Sequence, residues 1–259
     1  MMAKKILFAG CSFTSDCGFN DENIIKYHWP VVVSKHYGFD VVNISIGGMS
    51  NDEIFYRTID SLTKTDCELV VIMWSELSRK WIYCSENNVD DFTIITNGSM
   101  GGIRPDSEYV QSYTKLHHVY FDNRYVALKH WLLQIIALQN IFENNDQSFV
   151  FIKGFENHIL DFLEIDINKD LFMLDKNIKK ILDFDSRPDY FIIDKINVIK
   201  NLFNKIDKSK WINFDSKAFG DMKVDVADDQ IHPGIITNKI LSDYLIEHID
   251  KINNCKNVA

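Results

Sequence analysis

Three residues of the types that cooperate in nucleophilic catalysis lie near the two ends of this chain: Ser12, Asp229 and His232. A serine hydroxyl is a poor nucleophile at neutral pH, so it needs a base within hydrogen-bond reach and a third group that orients the base. His232 is of the right type to be that base. Asp229, three residues earlier, is placed to hold its Nδ1 while Nε2 faces Ser12. The set predicts acyl transfer through a covalent serine intermediate.

Such a reaction develops negative charge on the carbonyl oxygen of the substrate, and that charge needs hydrogen-bond donors. The backbone N–H of Ser12 is one candidate. The N–H of Gly48 is a second, because the pair Gly47–Gly48 lets backbone approach a substrate closely. Asn51, a few residues further on, is a third candidate donor.

The scaffold must bring both ends of the chain together. Apolar and β-branched runs predict five strands, over residues 4–10, 40–45, 68–74, 148–153 and 211–214. Helical periodicity predicts two or three helices within 155–208 and others over residues 29–37, 50–62, 122–144 and 235–252. Strands alternating with helices imply right-handed crossovers. The predicted fold class is therefore α/β, a three-layer αβα sandwich with a flavodoxin-like parallel sheet of about five strands.

In such a sheet the loops that follow the first three strands converge at one edge with the loop before the last helix. This convergence would place Ser12 close to His232. The run 68–74 is apolar after its first residue, so we expect it to be the central strand. Trp74 ends that strand and is a candidate for the apolar face of a sugar or acyl pocket.

Two helices carry further local predictions. Ser50 and Glu53 have the S-x-x-E spacing of a capping box, which predicts a helix that begins there and runs to about Leu62. For the helix at 122–144 the predicted apolar side consists of Val126, Leu133, Ile136, Ala137 and Ile141.

Between residues 81 and 121 the chain is polar and contains Gly and Asn. We interpret this stretch as an insertion that forms a lid or a hairpin. No repeat, low-complexity linker or clear boundary divides the rest, so residues 1–259 are expected to form a single domain.

Composition excludes several classes of function. The chain has 259 residues, a formal net charge of −9 and no run of three basic residues, so nothing favours binding to nucleic acid or to an anionic membrane. Five cysteines without C-x-x-C spacing argue against a zinc cluster or a disulfide framework and favour a reducing compartment. With no signal peptide and no membrane span in the pattern, we expect a cytoplasmic protein that needs no metal or cofactor.

The order of these motifs resembles that of the SGNH, or GDSL, hydrolase family of esterases and deacetylases. The first block of that family, usually Gly-Asp-Ser, is matched by Gly10-Cys11-Ser12. The second block is matched by Asn43 with the loop Gly47–Gly48, and the last, Asp-x-x-His, by Asp229 and His232. The resemblance implies a flavodoxin-like sandwich in which Ser12 is the nucleophile, His232 the base, Asp229 its orienting partner and Gly48 an oxyanion donor.

The chain departs from that family at the third block. There the family has Gly-x-Asn-Asp, whose Asn donates a side-chain amide to the oxyanion, whereas this chain has Trp74-Ser75-Glu76-Leu77. Glu76 or a neighbour takes the place of the Asn. An ionised carboxylate would oppose an oxyanion, and a protonated one would donate a hydrogen bond to it. Loss of one such donor typically costs about 10²–10³ in rate.

The leading hypothesis is a serine-dependent ester hydrolase that removes an O-acyl group from a carbohydrate or another small ester. The alternative is a non-catalytic module of the same fold that binds a glycan or a protein partner, which the altered third block favours. A nucleotide or phosphate binder that uses the Ser12 loop is a poorer third, because neither glycine loop follows a G-x-G-x-x-G or P-loop pattern. The oligomeric state stays open.

Overall fold

The computed structural model describes residues 4–17, 25–86, 89–95, 112, 124–155, 189–212 and 218–256. The chain divides into two compact units. The first consists of Met1–Glu76, Phe142–Glu156 and Lys208–Ala259, and the second of Leu77–Ile141 and Asn157–Asp207. The interpretation of the whole chain as a single domain stays a prediction.

The strands, in chain order, are β1 (Lys5–Ala9), β2 (Asp40–Asn43), β3 (Leu69–Trp74), β4 (Lys80–Glu86), β5 (Val89–Ile95), β6 (Ser148–Lys153) and β7 (Trp211–Ile212). The helices are α1 (Trp29–Tyr37), α2 (Asn51–Leu62), α3 (Arg124–Asn144), α4 (Asp189–Phe203) and α5 (Ile235–Lys256). Short 3-10 helices lie at Lys208–Lys210 and Phe219–Met222.

The first unit is built on a five-stranded parallel sheet with the order β2-β1-β3-β6-β7. This is the flavodoxin-like order, so the predicted fold class is confirmed. The central strand is β3, as predicted, and all six of its residues are buried. The strand order reverses between β1 and β3, and in open α/β sheets ligands bind at the carboxyl ends of the strands that flank such a reversal. Ser12 follows β1 at that edge.

Helices cover both faces of this sheet. On one face Phe8 and Val71 belong to a buried cluster that includes Val33 of α1 and Leu245 of α5. Because successive residues of a strand point to opposite faces, the fully buried Val70 and its neighbours along the strands lie on the other face, where α2 packs against β1 and β3. The result is the three-layer sandwich that the alternation of strands and helices predicts.

Local sequence signals explain where the helices begin and end. Pro30 lies in the first turn of α1, which tolerates proline, and Gly38 ends the helix with a φ of 68° in the left-handed region that glycine favours. Ser50 caps α2 by accepting a hydrogen bond from the N–H of Glu53 at 3.3 Å. The carboxylate of Glu53 pairs with Arg57 instead, at 2.9 Å.

The predicted apolar side of α3 is wrong. Val126 and Leu133 are 52% and 41% exposed. Most of the buried apolar residues recur at spacings of three and four along the helix, and they are Tyr125, Ala127, Leu128, Trp131, Leu132, Ile135, Leu138 and Phe142. The helix is apolar over much of its circumference, so periodicity alone is compatible with two different apolar faces. The face that carries the aromatic rings of Tyr125, Trp131 and Phe142 is the buried one.

In the second unit, β4 and β5 pair antiparallel as a hairpin, with Lys80 opposite Ile95. The rest of the predicted insertion, up to residue 121, lies outside the described residues apart from residue 112. The helices predicted between 156 and 188 lie outside them as well. In α4, Ile196 and Ile199 are buried, as its periodicity predicts. The role of the insertion as a lid stays a prediction.

Among the helices of the described residues, none has the length and apolar character that crossing a membrane requires.

His28 precedes α1 and is 2% exposed. Burial lowers the pKa of its imidazole to about 3 from the ordinary 6.5. Between these values only the unfolded chain binds a proton, so stability falls as pH drops below about 6.5. We expect the free energy of unfolding to fall by about 2 kcal/mol between pH 7 and pH 5 through His28 alone. Urea melts at pH 7 and pH 5 measure this difference. In His28→Gln the free energy of unfolding should fall by about 2 kcal/mol less between the two pH values than in the wild type. An unchanged pH dependence in the variant would refute the assignment to His28.

Candidate active site

Ser12 lies on a tight turn directly after β1. The N–H groups of Thr14 and Ser15 donate to the carbonyl of Cys11 at 2.9 and 3.0 Å. A Cβ atom at Gly10 would lie 2.2 Å from Thr14 Oγ1, so only glycine lets the turn fold back this closely. Cys11 is fully buried, while Ser12 retains some exposure. The turn therefore presents the serine at the carboxyl edge of the sheet.

The glycine loop after β2 lies against this turn. Gly48 has a φ of 84° and the N–H of Met49 donates to the carbonyl of Ile46 at 3.3 Å, as in a type II turn with glycine at its third position. A Cβ atom at Gly47 would lie 3.9 Å from Ser12 Cβ. The side chain of Asn43 ties the two loops together by donating to the carbonyl of Thr14 at 2.8 Å.

Two backbone N–H groups at this junction are open. Within the described residues, neither Ser12 N–H nor Gly48 N–H donates a hydrogen bond to another group of the chain. Unbonded N–H groups beside a serine are the kind of donor that stabilises a tetrahedral intermediate. Their assignment as oxyanion donors stays a prediction.

The carboxyl-terminal loop pairs Asp229 with His232. Asp229 Oδ2 is hydrogen-bonded to His232 Nδ1. The other oxygen, Oδ1, accepts from the N–H groups of Ile231 and His232, both at 2.9 Å. Because a carboxylate only accepts, Nδ1 carries a proton, and in the neutral form of the imidazole Nε2 is then the nitrogen with the lone pair. The imidazole is therefore oriented as a general base requires.

The same contacts stabilise the ionised form of the Asp229 carboxyl group. Burial acts to raise the pKa of its carboxyl group, but the hydrogen bonds from His232 and Ile231, together with the charge of His232, outweigh burial and lower the pKa to about 2. Asp229 is therefore ionised throughout the neutral range, and its charge would favour a protonated His232.

A compact hairpin carries this pair into α5. Ala227 N–H donates to the carbonyl of His232 at 2.9 Å. Asp225 caps α5 by accepting from the N–H groups of Ile236 and Thr237 at 2.9 and 2.8 Å. Burial acts to raise the pKa of Asp225, but its hydrogen bonds with Thr237 and Ile236 prevail and lower it. A Cβ atom at Gly234 would lie 2.4 Å from the Asp225 carboxylate, so glycine is required there.

The two ends of the chain meet at Phe13. Its ring lies edge to face with His232, with centroids 6.0 Å apart and planes at 88°. Phe155 stacks on the same ring at 4.7 Å, and Phe219 lies edge-on at 6.0 Å. The residue next to Ser12 thus supports the imidazole. Within the described residues no hydrogen bond joins Ser12 and His232, and such catalytic contacts are often long in free enzymes and tighten with substrate.

The end of β3 is clamped by Asn51. Its Oδ1 accepts from Ser75 N–H at 2.7 Å, and its Nδ2 donates to the carbonyls of Ser75 and Glu76 at 3.2 and 3.4 Å. The amide hydrogens of Asn51 are therefore directed at backbone in this structure. Glu76 is half-buried just beyond the strand. Trp74 is 1% exposed and packs against Phe151 in the core. Roles in substrate binding for Asn51, Glu76 and Trp74 stay predictions.

Sequence reasoning missed two residues beside the site, Trp29 and Asn238. The indole of Trp29 donates to the carbonyl of Phe13, and the amide of Asn238 bonds the carbonyl of Pro233, next to His232. A signal for Asn238 exists in the sequence: it precedes Leu241 and Leu245 on the buried stripe of α5, where a polar residue needs partners. Within the described residues no group of three His, Cys, Asp or Glu side chains is arranged to hold a metal ion.

A family of unknown function, DUF6071, matches residues 13–170, more than half of the chain. The chain belongs to this family. The match begins one residue after Ser12 and ends well before Asp229 and His232. Membership of DUF6071 therefore says nothing about the pairing of the two ends. No curated protein matches the chain.

Several solved structures resemble this DUF6071 member. The psychrotrophic esterase EstA from Pseudoalteromonas sp. is 11% identical with a TM-score of 0.46, over 97% of this chain and 99% of that one. TesA is 12% identical with a TM-score of 0.47, over 95% and 98%. The acetylxylan esterase Axe2 from Geobacillus stearothermophilus is 15% identical with a TM-score of 0.44, over 95% and 94%. At TM-scores below 0.5, these likenesses assign no activity to the chain.

Proposed function

We propose that this DUF6071 member is a serine-dependent ester hydrolase. One observation carries the proposal: Asp229 holds Nδ1 of His232, and the His232 ring packs against Phe13, the residue that follows Ser12. These contacts support the assignment of Ser12 as the nucleophile, His232 as the base and Asp229 as the orienting carboxylate. Oriented acid–base groups of this kind are what a serine needs in order to attack an acyl carbon.

The proposed reaction has two steps. Ser12 Oγ attacks the ester carbonyl carbon while its proton passes to His232 Nε2. The tetrahedral intermediate, with its oxyanion facing the N–H groups of Ser12 and Gly48, then collapses. His232 gives the proton to the departing alcohol and an acyl-enzyme remains. Water then attacks the acyl-enzyme, its proton passes to His232, and collapse of the second intermediate releases the carboxylic acid and returns the proton to Ser12.

The substrate class we propose is a small ester, including O-acyl groups on carbohydrates. The net charge of −9 disfavours a polyanionic substrate, because the long-range field of the whole protein repels it. The experiment is an assay of the full chain with p-nitrophenyl acetate and butyrate and with acetylated xylose. Hydrolysis of at least one ester that depends on Ser12 would support the proposal. No Ser12-dependent hydrolysis between pH 6 and pH 9 would refute it.

The second candidate is a non-catalytic module of the same fold that binds a glycan or a protein. The end of β3 favours it, because the Asn51 amide is directed at the carbonyls of Ser75 and Glu76 and the adjacent side chain is a carboxylate. An oxyanion would then have backbone donors and no side-chain amide. A chain that binds acetylated oligosaccharides in calorimetry but hydrolyses none would support this function over the first.

The substitution Glu76→Asn tests whether the Glu76 side chain faces the oxyanion and slows catalysis. If the Glu76 side chain faces the oxyanion, the neutral amide should donate where the carboxylate repels, and we expect kcat to rise by about tenfold or more. Glu76→Gln is the matched control, since it removes the charge and keeps the length of the side chain. Hydrolysis rates of the two variants on the same aryl ester measure the effect. An unchanged kcat in both would place the Glu76 side chain away from the reacting oxygen.

A further inference from the structure

We propose that Asn238 and Trp29 are positioning residues that hold the Ser12 turn in register with the His232 loop. The inference rests on the proposed function and adds to it two residues from α1 and α5. They touch neither Ser12 nor His232 in any hydrogen bond described above. They act on the carbonyl groups of the neighbouring residues, Phe13 and Pro233.

Trp29 makes the first half of the link. It is the first residue of α1 and is fully buried. Its indole Nε1–H donates to the carbonyl of Phe13 at 2.8 Å, which fixes the backbone directly after Ser12. Its own backbone N–H, one of those that a helix leaves without an internal partner, donates to Asn238 Oδ1 at 3.1 Å.

Asn238 makes the second half. It lies in the first turn of α5 and is 2% exposed. Its Nδ2 donates to the carbonyls of Pro233 and Gly234 at 3.1 and 2.9 Å. One acceptor and two donor positions of the amide are therefore used at once. Pro233 directly follows His232, so the Asn238 side chain joins the His232 loop to α1.

A buried relay of hydrogen bonds thus runs from the residue after Ser12 to the residue after His232. Burial strengthens such bonds and makes a lost partner expensive. Catalysis by an oriented pair is sensitive to small displacements, and about 1 Å of misplacement can cost about 10² in rate. The relay is therefore suited to setting the distance between Ser12 and His232 before a substrate arrives.

Asn238→Asp is the sharpest test, because it preserves size and the acceptor for Trp29 N–H but replaces both donors with an oxygen that repels the Pro233 and Gly234 carbonyls. For an aryl ester we expect kcat to fall by about 10² with KM changed less than about threefold. Trp29→Phe removes the indole N–H and keeps an aromatic ring. We expect it to lower kcat by about tenfold.

Tyr37→Phe is the matched control. The single hydroxyl proton of Tyr37 faces Asp250 Oδ1 at 2.9 Å, with the carbonyl oxygen of Ile246 at 3.2 Å as the second acceptor, so the last residue of α1 also links that helix to α5. This variant should lower Tm as Asn238→Asp does and leave kcat within about twofold. If kcat in all three variants simply follows Tm, or if Asn238→Asp keeps the wild-type kcat, the proposal is overturned.

A readout that does not need turnover completes the test. In ¹H–¹⁵N spectra the backbone signals of Ser12 and His232 should both shift in Asn238→Asp and stay in place in Tyr37→Phe. The downfield proton of the Asp229–His232 hydrogen bond should persist in both variants. If the wild-type protein hydrolyses no ester, the proposed function is refuted. The spectra still test whether Asn238 and Trp29 connect the Ser12 turn to the His232 loop. Unmoved Ser12 and His232 signals in Asn238→Asp would refute the link alone.

Discussion

Ser12→Ala should lower kcat/KM for an aryl ester by about 10⁴ or more, because the atom that forms the covalent bond is removed. Stability should hardly change. Within the described residues the Ser12 hydroxyl makes no hydrogen bond, and loss of a partly exposed group of that kind typically costs less than about 0.5 kcal/mol. Steady-state kinetics and a thermal melt on the same sample measure both effects.

Ser15→Ala is the control for that result. Ser15 lies on the same turn, and its hydroxyl donates to Cys17 Sγ at 2.9 Å. The same chemical change three residues away should leave kcat/KM within a few-fold of the wild-type value. If Ser12→Ala retained more than about a tenth of the wild-type rate, Ser12 would not be the nucleophile.

Asp229→Asn should lower kcat by about 10³–10⁴ with little change in KM. The carboxylate accepts from His232 Nδ1, whereas an amide there can donate and favour the tautomer with the proton on Nε2. That tautomer cannot take the proton of Ser12. Because the pKa of Asp229 is about 2, the wild-type rate should also show no step from this residue above about pH 3.

Asp225→Asn is the matched control in the same hairpin. Asp225 caps α5 through Ile236 and Thr237 and makes none of the bonds to His232. Asparagine keeps only one of the two acceptor oxygens that face these N–H groups, so we expect a decrease in Tm but a rate within about threefold of wild type. A rate for Asp229→Asn as high as that of Asp225→Asn would show that the carboxylate does not orient the base.

Much of the sandwich is readable from the sequence because its signals are local. Pro30 and Gly38 mark the ends of α1, and the S-x-x-E pattern at Ser50 marks the start of α2. The apolar run of β3 predicts a central strand because a parallel strand is covered on both faces. These features depend on neighbours a few residues apart, so one sequence suffices to find them.

Several features that depend on distant partners were not predicted. The buried side of α3 could not be chosen from periodicity, because apolar residues occupy two stripes and tertiary packing selects one. The position of Asn238 on the buried stripe of α5 signals that it needs partners, but only the folded chain shows that these are Trp29 and Pro233. Asn51 follows the glycine loop, and only the folded chain shows its amide at the end of β3.

The central claim is that Ser12 is an activated nucleophile with His232 as its base. The most direct measurement is reaction of the full chain with a fluorophosphonate probe, followed by intact mass and peptide mapping. One adduct on Ser12 is predicted, formed at least about 10² faster in the wild type than in His232→Ala. No adduct, or one on another residue that forms equally fast without His232, would contradict the claim.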